Sequence, residues 1–382
     1  MRLKKILVFG DAISSKNGGS ASFCELCLAL GERYNLTIAT KLGRFDGVIY
    51  NHINYKALRD SLRTIPAGYI DQRYRQDSLG IKIVGILSRL FFDQVKLANI
   101  DFVIDCLGLN SDVVKKFQGN GIKVYRMHNG SVGAFTKFFG RAQYYSKEEN
   151  LSYYISAMSR YSGLLFQSQE QLIESQKVVG IADYHCLPPS CNEAAIDKIA
   201  LVKTTRDESE IRIVQVGSIQ PRKNQLRSIE LVSSLRDAGL KVCLHLIGVI
   251  HDKDYYNFLL QVIRKKDAFD YVFFTGFRSD YLKFIVGANA LIIPAEAEGV
   301  SRALREAFYA KVLVLGRAIS GMKSFIENGQ IVDIENMELQ QMVKLFLNRR
   351  ERDNICNAAR SYYDEFYSWT NYAERFARII QA

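Results

Sequence analysis

The sequence predicts an α/β protein of two doubly wound, Rossmann-like domains. Three observations lead there. Short apolar runs alternate with helix-length stretches along both halves of the chain, which is the pattern of parallel βαβ units. A Pro-Pro break at Leu187-Pro188-Pro189-Ser190, followed by a polar stretch, divides the 382 residues into two domains of ordinary size. The loops that end the strands carry glycines, cations or carboxylates, and open parallel sheets bind ligands outside the carboxyl ends of their strands.

Composition sets the outer bounds. Apolar residues make up 48% of the chain and there is no low-complexity tract, as in globular proteins. No apolar run approaches the ~18 residues that span a bilayer. Met1 to Ile6 is basic and then apolar, but Gly10-Asp11 cut the run to about five residues, short of a signal-peptide core, so it reads as a first strand. Seven cysteines without regular spacing predict a reducing cytoplasm. Cys24 and Cys27 form a CxxC with no second pair nearby, and read as two small apolar residues one helical turn apart.

The net charge is +11, and residues 1–186 hold about +8 of it. That predicts an anionic partner for the first domain: a lipid headgroup at an anionic membrane, a lipid diphosphate or an acidic glycan. No basic run with interleaved aromatics occurs, so no nucleic acid is expected.

The first domain is placed at 1–186. Lys5 to Gly10 reads as a buried strand, then a loop with Lys16-Asn17-Gly18-Gly19-Ser20, then a helix from about Ala21 to Glu32 and a strand Leu36 to Ala39. Gly18 and Gly19 let backbone N–H groups approach a phosphate or sugar closely. Gly47 to Tyr50 is strand-like. Leu79 to Leu97 is an apolar stretch with Lys82, Arg89 and Lys96, read as a core helix between layers or an amphipathic helix on a membrane surface. Strands follow at Asp101 to Asp105 and Lys123 to Met127, the second ending in His128-Asn129-Gly130. A neutral imidazole there can donate to a sugar hydroxyl or take its proton. Gly163 to Phe166, ending in Gln167-Ser168, is the last first-domain strand.

Residues 187–210 read as the interdomain linker. The second domain, 211–362, opens with the strand Arg212 to Gly217. Its loop, Ser218-Ile219-Gln220-Pro221-Arg222-Lys223-Asn224-Gln225, leads to a helix, Leu226 to Ala238. Strands come next at Val242 to Gly248 and Tyr271 to Phe277, the second containing Gly276. Asp252-Lys253-Asp254 is a DxD without support and reads as a solvated loop. Ala290 to Ile293 is a buried strand that ends at Pro294. The acidic loop Glu296-Ala297-Glu298-Gly299-Val300 follows, with Ser301 as N-cap of a helix from Arg302 to Ala310. A strand Val312 to Leu315 closes this strand–loop–helix–strand unit. The helix start offers N–H groups and a positive dipole end to an anion such as a diphosphate. The helical tail, Arg360 to Ile380, includes a helix at about 363–382.

Pro294, Ala295, Glu298, Gly299 and Glu306 resemble the signature of retaining glycosyltransferases of the GT-B fold, in particular family 4, the "group 1" transferases. That signature is a Pro-Ser-x-x-Glu-Gly loop leading to a second Glu after seven residues. The resemblance spans both halves. In the first half it rests on the order of elements, a Gly-Gly before the first helix and a His at a strand end. It implies that Glu298 faces the donor sugar, that Glu306 holds the nucleotide ribose, and that His128 lines the cleft near the reacting carbon. It implies that the Gly217 loop clamps the donor diphosphate, that the loop after Gly276 approaches the base, and that the C-terminal helix packs back on the first domain. The family pattern Gly-Arg-x-x-x-x-Lys-Gly keeps its Lys as Lys223, whereas Ser218 stands where the Arg is expected. Arg222 can supply that charge. Lys311-Val312-Leu313 and Ser320-Gly321 also depart from the family.

The resemblance implies an enzyme that moves a sugar from a UDP- or GDP-sugar to a hydroxyl on a glycan or lipid-linked acceptor, with retention. Lys223, Arg222 and the helix start near Ser301 would stabilise the leaving diphosphate, so neither metal nor cofactor is expected. The expected location is the cytoplasm, at the inner face of the membrane. Two alternatives remain: a sugar-nucleotide epimerase or phosphorylase on the same fold, and a non-catalytic binding module.

Overall fold

The computed structural model describes residues 4–10, 23, 26, 27, 30, 31, 33–40, 63–66, 100–106, 108, 109, 111–128, 132, 146–181, 183–201, 210–319 and 321–381. The chain forms two compact units. One comprises Met1–Ser190 with Trp369–Ala382, the other Cys191–Ser368.

The first unit holds a parallel sheet of seven strands among the described residues. They are β1 (Lys5–Gly10), β2 (Asn35–Thr40), β3 (Arg63–Pro66), β4 (Phe102–Asp105), β5 (Lys123–His128), β6 (Gly163–Phe166) and β7 (Tyr184–Cys186), in the order β3-β2-β1-β4-β5-β6-β7. A parallel sheet covered on both faces needs apolar residues at successive positions, not alternate ones. β1 shows why. Ile6 and Val8 pack with helical Phe23, Leu26 and Leu30 on one face. Leu7 and Phe9 pack on the other face with Val114 and Phe117 of α1 (Ser111–Gly119) and Tyr154 of α2 (Lys147–Met158). Ser146 and Glu149 start α2 with a reciprocal capping box. α3 (Gln169–Gln176) follows β6, and Ser168 accepts from the Gln171 amide at its start.

The second unit begins with α4 (Glu193–Leu201), then β8 (Ile211–Val216), α5 (Gln225–Asp237), β9 (Val242–Ile247), α6 (Lys253–Lys265), β10 (Val272–Gly276), α7 (Tyr281–Val286), β11 (Ala290–Ile293), α8 (Arg302–Tyr309), β12 (Leu313–Gly316), α9 (Lys323–Glu327), β13 (Val332–Asp333), α10 (Leu339–Leu347) and α11 (Arg349–Phe366). Its six strands are parallel, in the order β10-β9-β8-β11-β12-β13. α5, α6 and α10 cover one face, and α4, α7, α8 and α11 the other. The order reverses between β8 and β11, so the loops leaving these two strands must flank one crevice.

α12 (Trp369–Gln381) belongs to the first unit. Tyr372, Phe376, Ile379 and Ile380 are buried against the β1–β2–β4–β5 face, and the Lys4 Nζ donates to the Ile380 carbonyl at 2.6 Å. α11 stays in the second unit, where Tyr363 and Tyr367 are buried.

Several details differ from the sequence pattern. The stretch at 193–201 is helical, not polar linker. Asn192 caps it by accepting from the Ala195 amide at 3.1 Å, and Ala195 and Ile196 are buried. β3, β7 and β13 are strands too short or too polar for periodicity to mark. Asp252 is not a free loop carboxylate: it caps α6 by accepting from the Tyr255 amide at 2.9 Å. Cys27 is buried. The expected features at Gly18-Gly19, Cys24, Gly47 to Tyr50 and Leu79 to Leu97 lie outside the described residues. No helix of the described residues is long and apolar enough to cross a membrane.

Candidate functional site

The loops after β8 and β11 meet in the second unit, and the reasons are local. β8 ends at Gly217, whose amide donates to the Ile247 carbonyl at 2.9 Å. Gly248, at the end of neighbouring β9, lies so close that a Cβ built on it would fall inside the van der Waals envelope of the Gly217 carbonyl. After Gly217 the chain makes a single 3₁₀ turn, Pro221–Lys223. It enters α5 through Asn224, whose φ of 50° is left-handed and whose side chain accepts from the Arg227 amide. Asn tolerates this conformation better than most residues.

Three glutamines hold that loop. Gln215, buried in β8, donates from Nε2 to the Lys223 carbonyl at 2.7 Å and accepts from the Ser228 hydroxyl at 2.8 Å. Gln225 is wholly buried and donates to the Ser218 carbonyl at 2.9 Å. Gln220 donates to the Ser218 hydroxyl at 2.5 Å. Ser218 is thus a tethered loop residue. Tyr255 lies below, its oxygen accepting from the Leu226 amide, and burial pushes its phenol up from the usual range.

The second loop is laced to the first. The Glu296 amide donates to the Arg222 carbonyl at 3.0 Å, and the Arg222 Nη1 donates to the Ala297 carbonyl at 2.7 Å. Lys223 Nζ forms an ion pair with Glu298 Oε2, and Arg222 Nη1 stands 3.7 Å from the same oxygen. Lys223 and Glu298 side chains are each 17% exposed, so the pair is partly sheltered yet reachable. The loop turns at Gly299 against Gly321, where a Cβ would come within 3.1 Å of the Gly299 carbonyl carbon. Gly321 has a φ of +85°, so a side chain there is strained as well as crowded. Val300 is buried beneath.

α8 starts at Ser301, but the Ser301 hydroxyl makes no capping bond to the first turn. Its sequence role as N-cap holds for position and not for the side chain. Glu306 is wholly buried. Tyr281 donates its hydroxyl to Glu306 Oε1 at 2.5 Å, and Arg302 Nε lies 2.9 Å from the same oxygen, one turn back on the helix. Gly276 ends β10 with a φ of 71°, and its carbonyl accepts from the Gly248 amide at 2.9 Å.

In the first unit, His128 ends β5 and is 5% exposed, with Tyr154 edge-on at 5.4 Å and Phe166 at 5.5 Å between ring centroids. Beside it, at the end of β4, Asp105 is wholly buried. It accepts from the Gly108 and Leu109 amides at 2.9 and 2.6 Å and from Tyr161 at 2.5 Å, with Arg126 Nη1 at 3.5 Å. Burial pushes the neighbouring Cys106 thiol up to about 12, with Arg126 opposing and Asp105 adding to the shift. Burial works against the charge on Arg126, but Asp105 and Tyr161 outweigh it and hold the guanidinium charged.

The structure therefore brings Arg222, Lys223, Glu298, Gly299, Val300 and Ser301 together with Gly217 and Ser218, and places Glu306 about one turn into the helix that follows. Gln215, Gln225, Tyr281 and Arg302 were not marked in the sequence as part of this set. Gln215 had a signal, since it is the lone amide in the apolar core of its strand. Arg302 also had one, since it stands four residues before Glu306 on the same predicted helix, whereas Tyr281 had none, because Glu306 is reached from it only by folding.

Residues 198–362 match the family model described as "Glycosyl transferases group 1". No curated protein sequence matches the chain. Solved structures of similar fold include that of Anabaena Alr3699/HepE in complex with UDP and glucose, with a TM-score of 0.71, 15% identity and 99% of each chain covered. Sucrose-phosphate synthase from Thermosynechococcus elongatus has a TM-score of 0.74 and 13% identity, covering 99% of this chain and 98% of that one. WaaG, a glycosyltransferase involved in lipopolysaccharide biosynthesis, has a TM-score of 0.68 and 17% identity, covering 99% of this chain and 100% of that one. At these identities the likeness concerns the fold, which is two parallel-sheet Rossmann-like units as in GT-B glycosyltransferases.

Proposed function

We propose that the protein, whose second unit carries a group 1 glycosyltransferase domain, moves a sugar from a nucleotide-sugar donor to a hydroxyl acceptor with retention of anomeric configuration. The observation that carries this reading is the Lys223–Glu298 ion pair, with Arg222 laced to the same loop, at the crevice where the order of the sheet reverses. Bond breaking leaves the developing charge on diphosphate oxygens. A fixed ammonium, a fixed guanidinium and the positive dipole end of α8 suit that charge, and preorganised cations need no divalent ion. Lys223 is paired with Glu298. An incoming diphosphate would draw the ammonium to itself and leave the Glu298 carboxylate to accept from the sugar's hydroxyls. Glu306, held by Tyr281 and Arg302, is assigned to the ribose, and the exposed Phe277 just after Gly276 to the base. His128 is assigned to the reacting carbon, and Gly18 and Gly19 to the donor. The two carboxylates bind; they are not the acid and nucleophile of a glycosidase.

UDP-binding relatives in fold favour UDP-sugars as the first donors to try, and the lipopolysaccharide enzyme among them favours a bacterial polysaccharide or lipid-linked acceptor. We place the reaction in the cytoplasm at an anionic membrane face, from the basic first half. The test is nucleotide release from a panel of UDP- and GDP-sugars, with and without a metal chelator, and the anomeric coupling of the product by NMR. Release that needs free phosphate identifies a phosphorylase. Conversion of donor without acceptor identifies an epimerase. Neither turnover nor binding of any donor identifies a non-catalytic module.

A further inference from the structure

A second site lies in the first unit, apart from the loops described above. A pocket of about 400 Å³ opens at the edge of the seven-stranded sheet, between α3, β7 and α12. That volume is within the ~300–1,000 Å³ of small-molecule sites, but such sites are usually lined by apolar groups. This one is not. Arg375 and Arg378 enter from α12, Gln169 and Gln176 from α3, and His185 and Cys186 from β7. Leu172, Ile379 and the Tyr184 ring supply the apolar part of the wall.

The charges decide what fits. Positions 169, 172 and 176 share one face of α3 and carry no carboxylate. Asp183 is the nearest acid on the β7 side. One of its oxygens takes the Tyr125 hydroxyl and the other lies 2.5 Å from His185 Nε2, so it is engaged at the wall. Glu374 touches Arg378 only at 4.0 Å, with the Arg378 side chain 79% exposed. The Cys186 thiol adds no charge at neutral pH, because burial pushes it up to about 11, with Arg375 opposing. The lining is thus two guanidinium forks and an imidazole, faced by amides that donate and accept. Forked donors match phosphate oxygens, and amides match hydroxyls.

We propose that this pocket binds a phosphate group carried on a polyol, with Arg375 and Arg378 on the phosphate and Gln169 and Gln176 on the hydroxyls. The phosphate has two sources, a soluble sugar phosphate or the headgroup of an anionic glycerolipid. The residues of the pocket belong to the first unit and those of the donor crevice to the second, so the two are tested with different variants.

The full chain is titrated with glucose 6-phosphate and with glucose by calorimetry, and floated with phosphatidylglycerol or phosphatidylcholine vesicles. Either glucose 6-phosphate binds and glucose does not, or phosphatidylglycerol vesicles retain the protein and phosphatidylcholine vesicles do not. In either case Arg375→Gln with Arg378→Gln weakens that binding at least tenfold and leaves UDP binding unchanged, whereas Lys223→Ala does the reverse. Arg378→Gln alone, at an exposed side chain that the fold does not need, weakens it at least threefold. Binding of neither probe, or equal binding by wild type and Arg378→Gln, overturns the proposal.

Discussion

Replacing Lys223 with Ala removes the ammonium that pairs with Glu298 and tests the proposed donor site most directly. The effect on stability is small. Arg222 Nη1 stays 3.7 Å from the Glu298 oxygen, so the carboxylate is not left without a cation, and the loss is about 1 kcal/mol, which lowers Tm by ~2–4 °C in a unit of this size. The effect on catalysis is large. If the ammonium meets charge that develops on the leaving diphosphate, its loss costs kcat about 10²–10³, the effect of removing one preorganised donor. UDP, which carries the same diphosphate in the ground state, loses a charge-assisted hydrogen bond of about 1.5–3 kcal/mol, or roughly tenfold to a hundredfold in Kd. The assay is steady-state nucleotide release beside UDP calorimetry, with Glu298→Gln and the double variant measured in the same way. The two side chains share one oxygen contact, so the double variant should cost less than the sum of the singles. A kcat within threefold of wild type, with unchanged UDP binding and an intact fold, would refute the assignment of the crevice.

Three further outcomes follow from the same geometry. Tyr281→Phe removes the 2.5 Å hydroxyl contact to the wholly buried Glu306 carboxylate. It should destabilise the fold by about 1.5–3 kcal/mol in urea denaturation and weaken UDP more than pyrophosphate. Equal loss for both ligands would separate Glu306 from the ribose. Gly248→Ala forces a methyl into the Gly217 carbonyl, and should cost about 1–3 kcal/mol and raise the donor KM through the displaced Lys223 loop, measured by melting and kinetics. His245 is held below its usual pKa by burial, with Arg212 adding and Glu210 opposing. Its lowered folded value means that the unfolded chain takes the proton first as pH falls through about 6.5. Stability should therefore drop below that pH. In His245→Gln the slope between pH 7 and 5 should be shallower by melting, and an unchanged slope would place the acid sensitivity elsewhere.

The longer strands of the second unit were legible in the sequence because parallel strands covered on both faces must be largely apolar throughout, and Ala290 to Ile293 can be little else. The Glu298–Glu306 spacing was legible for a related reason, since a short loop and the first helical turn fix it within one local unit. What failed to show was set by tertiary partners. α4 has a polar sequence around it, and its Ala195 and Ile196 become core only against α7 and α8. β7 carries a Tyr-His-Cys run that no period marks, because one side of it faces the pocket at the sheet edge. Tyr281 lies 25 residues from Glu306, and nothing in its own neighbourhood marks it as a carboxylate partner.

The exchange of Arg for Ser at position 218 bears on how the crevice holds its charge. A cation at 218 would leave directly from the end of β8. In this chain that position is instead tied down, its carbonyl by Gln225 and its hydroxyl by Gln220. The guanidinium sits four residues later, and its direction is set by the opposite loop through the Ala297 carbonyl. Two cations on adjacent residues of a 3₁₀ turn ordinarily diverge. Here both reach Glu298, because Gln215 fixes the Lys223 carbonyl and the Glu296 amide fixes that of Arg222. The cost of holding two like charges together is offset by the carboxylate between them. The same carboxylate ties the cations to the loop that precedes α8, so a diphosphate that displaces it would meet both cations and the α8 amides at once. Displacing Arg222 should then loosen the second loop as well as remove a charge, an effect that a cation leaving from 218 would not have.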